Sequence, residues 1–355
     1  MLRYAPIVAK KQGRSDSAGH FLDDGTYCKL LEKSVNRSLG GWIVEFSDRV
    51  VSAVRQKGNP VVVGIDPRPE ELPPGFLDRF SDDRAGVAKA LEAFGREVID
   101  VVAPLVPLVK FQSAFYEAYG PEGLTALGAT LEHALSKDVL VIFDGKRNDI
   151  GSTAEAYARA YIGRVPVGGA FESSWNADAL TINPYLGTDG VSPFVKIAAR
   201  EGKGVFVLIR TSNASAREFQ DLQCDGLPVY RHVARRLRDW GEGHYGSEGY
   251  NLVGAVVGAT YPEELAELRE ELPGVLFLVP GYGTQGGTAK DIAAGFDANG
   301  QGALVNNSRG ITFAYKKPAL RERFADDWRK AVEQATRDMI DDLAENTPAG
   351  RLRKS

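Results

Sequence analysis

The chain has 355 residues, enough for one large domain or two ordinary ones, and its 43% apolar and 25% charged residues suit a globular protein with a sizeable core. A formal net charge of −4 excludes recognition of nucleic acid or of an anionic membrane by bulk electrostatics, so any bound anion must be held by local donors. Two cysteines, Cys28 and Cys224, make neither a disulfide framework nor a zinc cluster and fit a reducing cytoplasm, and no apolar run reaches the length of a membrane span.

Residues 1–40 lack sustained periodicity and carry turn formers such as Gly13, Gly19 and Gly25, so they read as an N-terminal extension, partly ordered. Lys10, Lys11 and Arg14 are not followed by the apolar stretch of a secretory signal. A single catalytic domain is expected over residues 41–345, with 346–355 as a C-terminal tail. Over residues 42–55, Ile43, Phe46, Val50, Val51 and Val54 recur at helical spacing, and Gly58-Asn59-Pro60 stops that helix.

The chain then alternates. Short, nearly continuous apolar runs occur at 61–65, 105–109, 139–143, 179–182, 205–209, 252–257, 275–279 and 303–305. Runs apolar on both faces are typical of parallel strands buried between helices and a core. Helical patterns lie between them, at 85–102, 123–135, 154–162, 191–200, 229–240, 262–272, 288–296 and 317–343. Eight strand–helix units in about 300 residues fit a (β/α)8 TIM barrel. A doubly wound open sheet competes, but no G-x-G-x-x-G follows the first strand; Gly64-Ile65-Asp66-Pro67 is not one. The extra length falls in loops 211–226 and 241–250.

A barrel carries its active site at the C-terminal ends of its strands. The first strand ends in Asp66, the second in Lys110, and the third in Asp144 and Lys146. Alternation along a strand points Asp144 and Lys146 to the same side if the strand extends that far. Asp149, three residues further on, need not share their pocket within one chain. Each of these has a plainer reading taken singly: a solvated turn, a helix cap, a snorkelling lysine. Four alternating charges converging on one mouth are harder to explain as stability, and each would favour the charged form of its neighbours.

The second half differs. GYGTQGGT (281–288) is a glycine loop leading into a helix, and the eighth strand delivers Ser308-Arg309-Gly310. Loops after the seventh and eighth strands are the usual phosphate grip of such barrels, although a glycine loop alone is as often a mere turn. Together with Gln285 and Arg309, it favours a phosphorylated small molecule lying across the mouth. His20, His133, His232 and His244 fall in the extension, in helical patterns or in a loop, which argues against a His-based triad or His-ligated metal and leaves a lysine as the proton donor.

At this point the chain resembles the orotidine 5′-phosphate decarboxylase family, most of all its longer bacterial-type branch. The resemblance rests on GIDPRP (64–69), LVKFQSAFYE (108–117), the D-x-K-x-x-D-I signature (144–150), TINPYLG (181–187), IRTSN (209–213), PGYGTQGG (280–287) and VNNSRGI (305–311). Sugar-phosphate decarboxylases of the same superfamily share D-x-K-x-x-D but place a metal-binding glutamate where this chain has Lys110. The resemblance implies conversion of orotidine 5′-monophosphate to uridine 5′-monophosphate and CO2, a step of pyrimidine biosynthesis, with no cofactor and no metal. It implies that Lys146 protonates C6, that Asp144 lies beside the departing carboxylate and holds both lysines, and that Asp66 and Lys110 contact the ribose. Ser212 would hydrogen-bond the pyrimidine, Pro280 would line the substrate site, and Gln285 and Arg309 would hold the phosphate. Asp149 and Thr153 would complete the neighbouring subunit's site, making the working unit a homodimer with no nucleic-acid or membrane partner. The rivals are a metal-dependent decarboxylase, a Schiff-base aldolase using Lys110 or Lys146, and a catalytically silent nucleotide binder.

Overall fold

The computed structural model describes residues 45–283, 286–325 and 327–354; the expected extension over residues 1–40, like Gln285, lies outside them. Eight parallel strands close into a barrel: β1 Val61–Ile65, β2 Leu108–Gln112, β3 Leu140–Arg147, β4 Ala179–Ile182, β5 Gly204–Arg210, β6 Val253–Val257, β7 Phe277–Val279 and β8 Ala303–Asn307. Each strand pairs with its neighbours in chain order, and β8 returns to β1 with Val63 opposite Asn307. The expected (β/α)8 TIM barrel is the fold observed.

The strands form where the apolar runs predict because such residues lose water on both faces, and β1, β6 and β8 are buried along their whole length. Their boundaries shift for local reasons. Leu105 and Val106 both donate backbone hydrogen bonds to Val102 O, finishing the helix Arg84–Val102, so β2 starts at Leu108. Lys110 therefore lies inside β2 rather than at its end. β3 runs four residues beyond its apolar stretch, through Arg147.

The helix expected over 317–343 is two, Pro318–Phe324 and Trp328–Asn346, with Ala325 between them at φ 48° and Asp327 capping the second through its carboxylate. After it, a 3-10 helix, Pro348–Lys354, buries Ala349 and Leu352, so the expected tail is packed. The sequence also hides two small hairpins, Val165–Val167 with Ala170–Glu172 and Gln223–Cys224 with Leu227–Pro228. Among the described residues, no helix is long and apolar enough to cross a membrane.

Candidate active site

A cavity of about 870 Å3 opens at the C-terminal ends of the strands. Of the residues singled out in the sequence, Asp66, Lys110, Asp144, Lys146, Ser212, Pro280 and Arg309 line it. Its floor is apolar, made by Leu208, Val256 and Leu278.

Asp144 is the hub. Lys110 Nζ and Gln112 Nε2 donate to its Oδ2 at 2.7 and 3.2 Å, while Lys146 Nζ and Thr181 Oγ1 donate to its Oδ1 at 2.7 and 2.8 Å. Four donors from β2, β3 and β4 thus saturate one carboxylate that is only 6% exposed. Burial opposes ionisation of Asp144, but Lys110 and Lys146 override it and hold the carboxyl well below its usual range. Burial also works against the Lys110 ammonium, yet Asp144 and Asp66 more than compensate and raise its pKa.

The two lysines are not equivalent. Lys110 is 4% exposed and locked between carboxylates. The Lys146 side chain remains 46% exposed at the cavity, in contact with solvent. A proton given up by Lys146 is readily replaced; one given up by Lys110 is not.

Asp66 Oδ1 and Asn306 Oδ1 are buried acceptors with no partner among the described residues, and both residues line the cavity. Buried acceptors are normally satisfied, so both suit the hydroxyl or amide donors of a ligand. The alternating set Asp66, Lys110, Asp144, Lys146 sums to zero charge. Arg68 and Arg309 then add positive charge to the lining, and neither has an ion-pair partner among the described residues. That surplus suits an anion.

Asp149 and Thr153 do not line this cavity. Asp149 lies just before the helix Gly151–Ile162 and Thr153 in its first turn, and Asp149 Oδ1 accepts from the adjacent Ile150 N–H. Exposed apolar side chains accompany them: Ile150, Tyr157, Tyr185 and Leu186. Leu186 is close by, since a Cβ on Gly190 would meet both Leu186 Cβ and Asp149 O.

Sequence reasoning missed Gln112, Thr181, Arg68 and Asn306. Gln112 and Arg68 each follow a named site residue by two positions, which is the signal that could have found them. Arg68 is held by the ring of Phe115, 4.5 Å from the guanidinium carbon. Among the described residues, no group of three or more His, Cys, Asp or Glu side chains is placed to hold a metal ion.

The model of the orotidine 5′-phosphate decarboxylase / HUMPS family matches residues 59–323. The chain is 46% identical over 307 residues to orotidine 5′-phosphate decarboxylase of Rhodopirellula baltica, covering 85% of this chain and 99% of the relative. Among solved structures, Leishmania donovani OMP decarboxylase superposes with a TM-score of 0.65 at 29% identity, over 88% of this chain and all of that one (100%). The UMP synthase of the same organism superposes with a TM-score of 0.65 at 31% identity, over 85% of this chain and 56% of that longer one.

Proposed function

The chain belongs to the orotidine 5′-phosphate decarboxylase family and is a carboxy-lyase; from that premise we propose that it converts orotidine 5′-monophosphate to uridine 5′-monophosphate and CO2 without a cofactor, with Lys146 as the proton donor. One observation carries this reading: the Lys110–Asp144–Lys146 array shares its cavity with Arg309, an arginine with no ion-pair partner among the described residues and so suited to hold a phosphate.

Breaking the bond from C6 to the carboxylate leaves an electron pair in an sp2 orbital that the ring cannot delocalise. The required acceleration lies towards the upper end of the roughly 8–23 kcal/mol that enzymes usually supply. The Lys146 ammonium stabilises that pair as it develops and then transfers a proton to it, and water recharges the amine after CO2 leaves. Asp144 cannot take the proton instead, because both its oxygens are occupied by donors and its carboxyl is held ionised. Asp66, with an open acceptor, and Lys110 contact the ribose hydroxyls. Ser212 meets the pyrimidine, Pro280 lines the cavity beside it, and Arg309 with Gln285 grips the phosphate. Binding energy at the phosphate serves to order the reacting end.

The cofactor-free part rests on Lys110, whose buried ammonium would repel a divalent cation at the place where metal-dependent relatives carry a glutamate. The homodimer is part of the same proposal. Asp149 and Thr153 are useless to their own cavity but sit among exposed apolar side chains, the surface a second copy would cover while inserting both into its partner's site. A cytoplasmic location rests on the two cysteines, of which Cys224 is an exposed free thiol.

Purified protein in EDTA should consume orotidine 5′-monophosphate in an ultraviolet assay. A catalytically inert wild type would overturn the proposal.

A further inference from the structure

Thr181 sits in the middle of β4, buried in the barrel wall, and its hydroxyl touches the acid–base array twice. It accepts from the backbone N–H of Lys146 at 3.0 Å and donates to Asp144 Oδ1 at 2.8 Å. Register explains the arrangement. Phe143 pairs with Leu180 and Arg147 with Ile182, so Asp144, Gly145 and Lys146 all stand opposite the single residue Thr181. That excess forces β3 to bulge and removes the bulged residues from the regular ladder. The backbone N–H of Lys146 then needs a partner that β4 cannot supply from its main chain, and the threonine hydroxyl provides it.

The bulge also sets the backbone. Lys146 lies at φ 46°, in the left-handed region that residues with a Cβ seldom adopt. Within it, Asp144 and Lys146 face the same cavity with Nζ and Oδ1 2.7 Å apart. Simple alternation would also aim them to one side, but along an ordinary strand, without the third residue between two paired ones.

We infer that Thr181 is a positioning residue for the decarboxylation: its hydroxyl pins the β3 bulge, holding the Lys146 backbone left-handed and the Asp144 carboxylate in line, so that the ammonium stays aimed at the reacting carbon. This rests on the decarboxylase reading of the site and extends it to a residue that acts through Lys146 and Asp144. Valine would fill the same volume but leave the Lys146 N–H unpaired and one side of Asp144 Oδ1 open, whereas serine would keep both hydrogen bonds.

The test compares T181V and T181S with wild type in steady-state kinetics, thermal melting and crystal structure. Displacement of a catalytic group by a fraction of an ångström predicts a kcat for T181V lower by about 10- to 100-fold, with KM changed less than about threefold, and recovery in T181S to within a few-fold of wild type. The T181V structure should show Lys146 outside the left-handed region or Nζ withdrawn from Asp144. Wild-type kcat in T181V, equal losses in T181S and T181V, or a T181V structure with Lys146 unmoved would each overturn the inference. Should T181V not fold, T181A is read against T181S by the same criteria. An inactive wild type would instead count against the decarboxylase reading, while the structural comparison still judges the role of Thr181 in the bulge.

Discussion

Replacing Asp144 by alanine separates the electrostatics of the site from its chemistry. In the wild type, burial disfavours the Lys110 ammonium, and Asp144 with Asp66 holds it charged nonetheless. Without Asp144, Lys110 loses its 2.7 Å partner while remaining 4% exposed. Removing one member of a buried ion pair costs about 3–5 kcal/mol. The vacated space opens onto the cavity and admits water, which places the cost near the lower end, about 3 kcal/mol. Spread over a barrel of about 300 residues, with an unfolding entropy of about 2.1 cal/mol/K per residue, that lowers Tm by about 5 °C.

The pH dependence has a defined sign. Wild-type Lys110 has a raised folded pKa, so its contribution is complete below the unfolded value of about 10.4 and is lost as pH climbs through the folded one. In the variant its folded pKa falls below the unfolded value; the unfolded chain then binds the extra proton between the two, and stability rises with pH there. The gap in Tm is therefore widest near neutrality and narrows as pH approaches about 10. Scanning calorimetry of both proteins across that range measures it. A gap near zero at neutral pH, or one that widens with pH, refutes the claim that Asp144 keeps Lys110 charged.

Lys146→Ala should retain the fold, since its side chain is half exposed, and lose at least about a thousandfold in kcat with orotidine 5′-monophosphate in EDTA; a modest loss would reassign the proton donor. Arg309→Ala removes a charge-assisted contact of about 1.5–3 kcal/mol and should raise KM by about 10- to 100-fold with a smaller change in kcat, so an unaltered KM would move the phosphate elsewhere. Lys146→Ala and Asp149→Ala subunits, each inactive alone, should recover about one quarter of wild-type activity when mixed and exchanged, because half of the dimers are hybrids with one intact site of two. No recovery after exchange verified by mass spectrometry would rule out the shared site.

The barrel is legible in the sequence because parallel strands buried on both faces leave continuous apolar runs, and strands such as β1 keep their predicted limits. Limits fail where apolar residues do another job, as Leu105 and Val106 do in closing a helix, or where a strand runs on through polar residues, as β3 does through Arg147. Short hairpins such as Val165–Val167 with Ala170–Glu172 carry too few residues for a period to show. In the site, charged groups at strand ends announce themselves, since little else explains a lysine or aspartate against a core. Thr181 does not. A lone threonine in a buried strand reads as filler, and its hydroxyl gains meaning only once the register sets three residues against it. The spacing of Asp149 from Lys146 already allows it to lie outside its own chain's pocket, and neither Asp149 nor Thr153 is among the residues that line that cavity.

The left-handed backbone at Lys146 sets stability against the proposed role of its side chain at one position. Glycine would relieve the torsional cost at that point, so a redesign guided by melting temperature alone would be drawn to discard the amine proposed as the proton donor. Thermostabilised versions of this barrel should be sought in its helices and peripheral hairpins, with the β3 rim left untouched.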